Sequence, residues 1–408
     1  MSVSALPRPA HWLTEERCRV YSIIVLAGFV AGYIGLTALS LPDFVDPRGK
    51  PVGYDFITFW SAAWLALHGR PEAAFDWHAI AAAQSAAVPA MGEKLFLWHY
   101  PPTFLLAVLP LGLMPYLAAF AAFTAAGLAL WAGLIRRVVT DRRYWIIAAA
   151  MPAGLINFFH GQNGFFTAAL AGFALLLLES QPVVAGVLIG LLAIKPHLAV
   201  LFPIALIASG NRRAFAAAAV TATGFSAVSI AAFGWPAVLA FVHDMPTAGM
   251  LIDEGILPWG MMPSPYVFGL GLGLPKALAW ALQAAAAIAA AAGVWWVWRQ
   301  PRAPFAAKAA TLLTGALLIS PYVFYYDMTW AGIAVGLLAL SPSAADGPRG
   351  ARDILFAAWV APIAMVPIYK LTHLQLGAVV LLLLLGLAIR RAVDRNQDTS
   401  ARRSSAPA

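Results

Sequence analysis

Apolar runs long enough to enter or cross a lipid bilayer follow one another from residue 20 to residue 390, with only short polar breaks between most of them. The first, residues 20–41, is uninterrupted, and about 20 residues at 1.5 Å rise cover a hydrocarbon core of about 30 Å. A soluble fold cannot hide so many runs of this kind, because too few polar residues remain to cover them. Charged residues are 11% of the 408-residue chain and hydrophobic residues 62%, against about 25% charged in an ordinary globular domain. Disordered, collagen-like and disulfide-scaffold classes fail on the same figures. The expected class is an all-α polytopic membrane protein.

The formal net charge is +8, from 26 Lys and Arg against 18 Asp and Glu. In a soluble chain this would raise the question of nucleic acid. Here the cations sit in short clusters between apolar runs: Arg17/Arg19, Arg136/Arg137, Arg142/Arg143, Arg212/Arg213 and Arg390/Arg391. That distribution is what the positive-inside rule produces, so the charge speaks of topology and no nucleic acid is expected. Both ends then lie in the cytoplasm, and residues 42–98 and 234–265 form outer segments, the second expected to be a long polar-aromatic loop. The run 20–41 is too long for a cleaved signal peptide and is expected to stay as the first span. Residues 101–135 are expected to make one long kinked crossing, with two short helices turning at Met114-Pro115 as the alternative. The chain crosses about 12 times if 182–209, interrupted at Lys195-Pro196, is a pair of short helices. Residues 1–391 form one membrane domain, and the polar tail 392–408 is expected to be disordered.

The first outer segment contains two stretches of amphipathic character, 55–68 and 75–87, with Trp60, Trp64, Trp77 and Trp98 in or beside them. Helices lying at the membrane interface with tryptophan anchors are the expectation. Asp55 opens the first stretch, where it can cap the helix or act as a functional carboxylate. Lys195 interrupts a long apolar run and is followed by Pro196 and His197. It either snorkels to an interface or faces a cavity, where an ammonium suits a phosphate. His160-Gly161-Gln162-Asn163, Trp98-His99-Tyr100-Pro101-Pro102, and Ser320-Pro321-Tyr322 with Tyr325-Tyr326-Asp327 are polar breaks on the predicted outer side. The histidines are scattered without metal-ligand spacing, so no metal site is expected. Cys18 is the only cysteine, which excludes an intramolecular disulfide. Walker-A and GxGxxG loops are absent.

Several segments taken together resemble glycosyltransferase family 87, membrane enzymes of the GT-C fold. They are Tyr54-Asp55-Phe56, Leu67-His68-Gly69 with Pro71, Tyr100-Pro101-Pro102 with Pro110-Leu111, Gly161-Gln162-Asn163, Ala185-Gly186 through Gly190 to Lys195-Pro196, Gly234-Trp235-Pro236, and Ser320-Pro321 with Tyr326-Asp327. The resemblance spans roughly residues 20–390. It implies a multi-pass enzyme of the cell (inner) membrane that moves a hexose, typically mannose, from a polyprenyl-phosphate carrier to a lipid or glycan acceptor on the outer face. Membrane lipids are its surroundings. A carboxylate in the first outer segment serves such enzymes as general base, and Asp55 matches that position. Lys195 is assigned to the donor phosphate on chemical grounds. His99, Tyr100, His160, Gln162, Asn163, His197, Tyr326 and Asp327 complete the expected substrate-binding set, Asp327 being also the reserve base. A lipid-phosphate donor carries its own leaving group, so no cofactor is expected, and one base suffices for an inverting displacement. Relatives often carry a histidine between the Ser-Pro and Tyr-Asp elements, whereas this chain has Tyr322-Val323-Phe324-Tyr325 there. Any role of that histidine is lost here or passes to His99 or His160. A transporter or lipid flippase is the competing class, since broken helices and a buried lysine suit it too.

Overall fold

The computed structural model describes residues 11–341 and 350–404. They are helical throughout, apart from loops and one isolated bridge, Val45 to Pro51. In chain order the helices are α1 Glu15–Leu39, α2 Phe56–Leu67, α3 Trp77–Ala87, α4 Pro102–Val108, α5 Tyr116–Val138, α6 Trp145–Ala149, α7 Pro152–His160, α8 Gly164–Leu177 and α9 Pro182–Leu191. They continue as α10 Pro196–Ala199, α11 Leu201–Ala208, α12 Arg212–Asp253, α13 Pro265–Gly271, α14 Lys276–Trp298, α15 Phe305–Ile319, α16 Thr329–Ala339, α17 Ala351–Thr372 and α18 Leu376–Ser404. Six of these are long and apolar enough to cross a membrane: α1, α5, α12, α14, α17 and residues 376–393 of α18. Helix α18 runs on to Ser404 through the segment expected to be disordered, while residues 405–408 fall outside the described ones.

Proline sets the lengths of the short helices. Pro102, Pro152, Pro182, Pro196 and Pro265 each stand in the first turn of a helix, where the missing N–H is not needed and φ is already helical. Apolar runs are thereby cut into short helices that meet at polar turns. Three such turns matter: α7 to α8 across Gly161–Asn163, α9 to α10 across Lys195, and α15 to α16 across 320–328. The 14 residues of α8 and the 11 of α16 extend about 21 Å and 17 Å. Both stop short of the roughly 30 Å hydrocarbon core. The α9 hairpin packs against α12 through Gly186 and Gly190, where a methyl group would meet the carbonyl oxygens of Ala214 and Ala218. Small residues four apart let helix backbones approach this closely.

The basic clusters near the chain ends and the α5–α6 turn gather at one end of the bundle. Arg19 Nη2 donates to the Arg143 carbonyl at 3.3 Å, Trp12 Nε1 to Asp353 at 2.7 Å, and Arg391 to the Leu338 carbonyl. The three polar turns lie at the other end.

Four expectations are corrected. Nine of the twelve residues of α2 are buried, so it is a core helix and not an interfacial one. Its Phe56, Phe59 and Trp60 pack against Trp98, Phe104, Tyr116, Phe120 and Phe123. Trp98 is 1% exposed and Trp60 donates its N–H to the Met114 carbonyl at 2.8 Å, so these two are core residues, whereas Trp77 is exposed. The segment 101–135 is not one kinked helix: α4 and a following 3₁₀ turn lie along α2, and α5 starts afresh after Pro115. Finally, much of 234–265 is helical. Gly234, at φ 76 and ψ 170, breaks α12, which then continues to Asp253.

Candidate active site

Asp55 stands at the mouth of α2 after a tight turn in which Gly53 and Tyr54 both have positive φ. It occupies the cap position but makes no cap hydrogen bond; its backbone is already helical at φ −67 and ψ −18. Its Oδ2 instead accepts from Gln162 Nε2 at 3.0 Å and lies 3.4 Å from His160 Nδ1. Oδ1 makes no hydrogen bond to the described residues, and the side chain keeps a quarter of its surface exposed. Burial alone would raise the carboxyl, but His160, Gln162 and the charge of Lys50 outweigh it and hold Asp55 below its ordinary value.

The α7–α8 turn supplies both of these partners. Gly161 has φ 58, and a methyl group there would come 2.7 Å from Phe56 Cβ and 2.8 Å from the Gly53 carbonyl. Only glycine lets this turn press against the Asp55 turn. Gln162 Oε1 accepts from the Tyr100 hydroxyl at 3.1 Å and from Asn163 N at 3.3 Å. His160 Nε2 shares a hydrogen bond of 2.7 Å with the Tyr325 hydroxyl. Tyr54 backs the site, its ring 4.8 Å from Phe159 and 5.3 Å from His160 and its hydroxyl donating to Asp46 at 2.5 Å.

Lys195, at the α9–α10 turn, does not snorkel. It is 2% exposed, and its Nζ contacts Asp327 Oδ1 at 2.5 Å and Asn163 Oδ1 at 3.5 Å. Its ammonium also lies over the rings of Tyr326 and Tyr100, at 5.2 and 6.0 Å. Asp327 is fully buried, and its Oδ2 accepts from Phe324 N at 3.1 Å. Both of its oxygens are engaged, which makes it a weaker base candidate than Asp55. Asn163 Nδ2 and His197 Nε2 are buried without partners.

Eight expected residues thus form one continuous network: Asp55, Tyr100, His160, Gln162, Asn163, Lys195, Tyr326 and Asp327. His99 and His197 flank it. His99 Nδ1 is 2.6 Å from Asp244 Oδ2, and the rings of His99 and His197 stand nearly perpendicular to Tyr322, at 6.2 and 6.3 Å. Asp244 and Tyr325 were not expected. Asp244 lies on α12, within the stretch expected to be an outer loop. Tyr325 lies in the stretch that lacks the histidine of relatives, and it reaches His160. Among the described residues no three His, Cys, Asp or Glu side chains come together as metal ligands.

The sequence profile of glycosyltransferase family 87 matches residues 98–321, more than half of the chain. The chain belongs to glycosyltransferase family 87. It is a membrane glycosyltransferase. The matched stretch holds Tyr100, the His160–Asn163 turn and Lys195 of the network described above, while Asp55 and Asp327 lie on either side of it. No curated protein and no solved structure matches the chain.

Proposed function

We propose that this family 87 enzyme transfers mannose, or another hexose, from a polyprenyl-phosphate carrier to a lipid or glycan hydroxyl, with inversion and with Asp55 as general base. The observation that carries the proposal is the state of that carboxylate. It stands where a helix cap would be yet caps nothing, it is fastened through one oxygen, and it offers the other. An acceptor hydroxyl gives its proton to Asp55 as its oxygen bonds to the anomeric carbon, and the bond from that carbon to the carrier phosphate breaks. Gln162 and His160 hold the base in its charged form and fix its direction. Lys195, with the partnerless amide of Asn163 and imidazole of His197 nearby, is the donor-phosphate element in this proposal. Tyr100, Tyr326 and His99 complete the walls of the substrate site.

The short helices support a recessed site. With the basic clusters in the cytoplasm, the polar turns face outward, and helices of about 17–21 Å leave them below the outer surface of the bilayer. Irregular backbone at that depth is tolerated where it lines a cavity. Counting the short helices as crossings gives about 12, an even number that supports a site on the outer face of the cell membrane.

The test is Asp55→Asn in purified protein given labelled polyprenyl-phosphate mannose. Asparagine can still accept from Gln162, so donor binding should persist while transfer slows at least about 100-fold. Turnover near that of the unmodified enzyme would remove Asp55 from the chemistry. An inactive wild-type protein that moves the intact carrier lipid across vesicles would instead favour a flippase.

A further inference from the structure

At the end of the bundle opposite the site, a cavity of about 450 Å³ opens among α1, α5, α6, α16, α17 and α18. That is the size of a small-molecule pocket, commonly about 300–1,000 Å³. Its lining runs along α1 from Glu15 to Ser22 and along α16 from Gly332 to Ala339, which makes it about 10 Å deep at 1.5 Å per residue. The deep part is apolar, with Met151, Ile333 and Trp359, and the charged groups are Glu15, Arg352 and Arg391. Glu15 is already paired with Arg19 at 3.2 Å. Arg352 lines the cavity without an ion pair to any described residue. Arg391 is 5% exposed; its Nη1 donates to the Leu338 carbonyl and, at 3.4 Å, to Ser341 Oγ, while its Nε has no partner. A buried guanidinium held, among the described residues, only by neutral oxygens is a charge without its counter-ion there.

We infer that this slot binds an anionic phospholipid, one acyl chain along the apolar walls and the phosphate at Arg391 and Arg352. Both halves of the slot require it. A zwitterionic lipid brings a quaternary ammonium along with its phosphate and adds no net charge to offset the two guanidinium groups, and a water-soluble phosphate would leave the apolar walls unfilled. The planar fork of arginine suits phosphate oxygens, and basic pockets between membrane helices are known takers of anionic headgroups. None of these residues touches the Asp55 network, so the inference stands apart from the proposed transfer reaction.

Cys18 lines the slot and is the only cysteine, so its alkylation by N-ethylmaleimide reports occupancy at a single position. In phosphatidylcholine bilayers, adding phosphatidylglycerol should slow alkylation of the full chain about tenfold, an effect of about 1.4 kcal/mol. Arg391→Gln should abolish that protection. Gly336→Phe provides a second arm: a Cβ at Gly336 meets only Val138 Cγ1, at 3.4 Å, so a ring there enters the slot with little strain. Native mass spectrometry should find phosphatidylglycerol on the wild-type protein and none on that variant, with its melting temperature kept. Equal protection by phosphatidylcholine, protection by inorganic phosphate alone, full protection in Arg391→Gln, or undiminished lipid on a folded Gly336→Phe protein would each overturn the inference.

Discussion

Lys195 and Asp327 should be far more costly to lose singly than together. Their charges meet at 2.5 Å with side chains 3% and 1% exposed. At an effective dielectric of 20 the attraction is about 7 kcal/mol, and it is largely offset by the several kcal/mol needed to bury each ion. The pair therefore adds little net stability, but either partner alone keeps its burial penalty without the attraction. Lys195→Met leaves Asp327 with only the Phe324 N–H, and Asp327→Leu leaves Lys195 with Asn163 at 3.5 Å and two ring faces. Each single change should cost about 3–5 kcal/mol, and the double change should recover most of it. Thermal unfolding of the purified proteins, followed by intrinsic fluorescence, measures all four corners of the cycle. Donor binding by the double variant then separates chemistry from folding: a stable protein that no longer binds the carrier phosphate places the Lys195–Asp327 pair in the substrate site. If Lys195→Met melts like the wild type, the pair is not the buried interaction described here and the reasoning fails.

Three further outcomes are expected. Because Asp55 is held below its ordinary value, it stays ionised as pH falls. The acid limb of kcat/KM should therefore lie below about pH 3.9, and any stability from its hydrogen bonds should be lost only there; a limb well above that value would remove Asp55 as the titrating base. Gly161→Ala combines a positive φ with close approach to Phe56 Cβ and the Gly53 carbonyl, atoms that cannot swing aside, and should cost about 2–4 kcal/mol with loss of activity; an unchanged melting curve would refute the contact. Single cysteines at Glu93 and Glu254, in a Cys18→Ser background, should both react with an impermeant reagent on intact cells, and protection of both would turn the site toward the cytoplasm.

Much of the architecture was legible because it depends on local composition set against a bilayer. The short pair within 182–209 follows from Lys195-Pro196, since proline cannot continue a helix and readily opens the next one. The polar turns stood out because His160–Asn163 and Tyr325–Asp327 interrupt apolar runs. The misreadings have two causes. Hydropathy reports that a face is apolar, not whether lipid or protein covers it, and lipid tails are as apolar as leucine. Thus α2 and Trp98, sheathed in aromatic rings of the same chain, carried the same signal as interfacial anchors. The helical part of α12 beyond Gly234 was hidden because Gly234 and Pro236 are ordinary signs of a loop.

The residues themselves determined that the chain lives in a membrane, where its polar breaks fall, and which side groups in them can do chemistry. Only the tertiary structure decided who meets whom. Gln162 reaches Asp55 across 107 positions, Lys195 reaches Asp327 across 132, and His160 reaches Tyr325 across 165. No local pattern encodes such distances. They are set by short helices packing through glycine contacts such as those of Gly186, Gly190 and Gly161, which bring distant turns to one depth. Packing also turned Lys195 from a residue that could have snorkelled into one held by a buried carboxylate, because at that depth a neighbouring charge is worth far more than distant water.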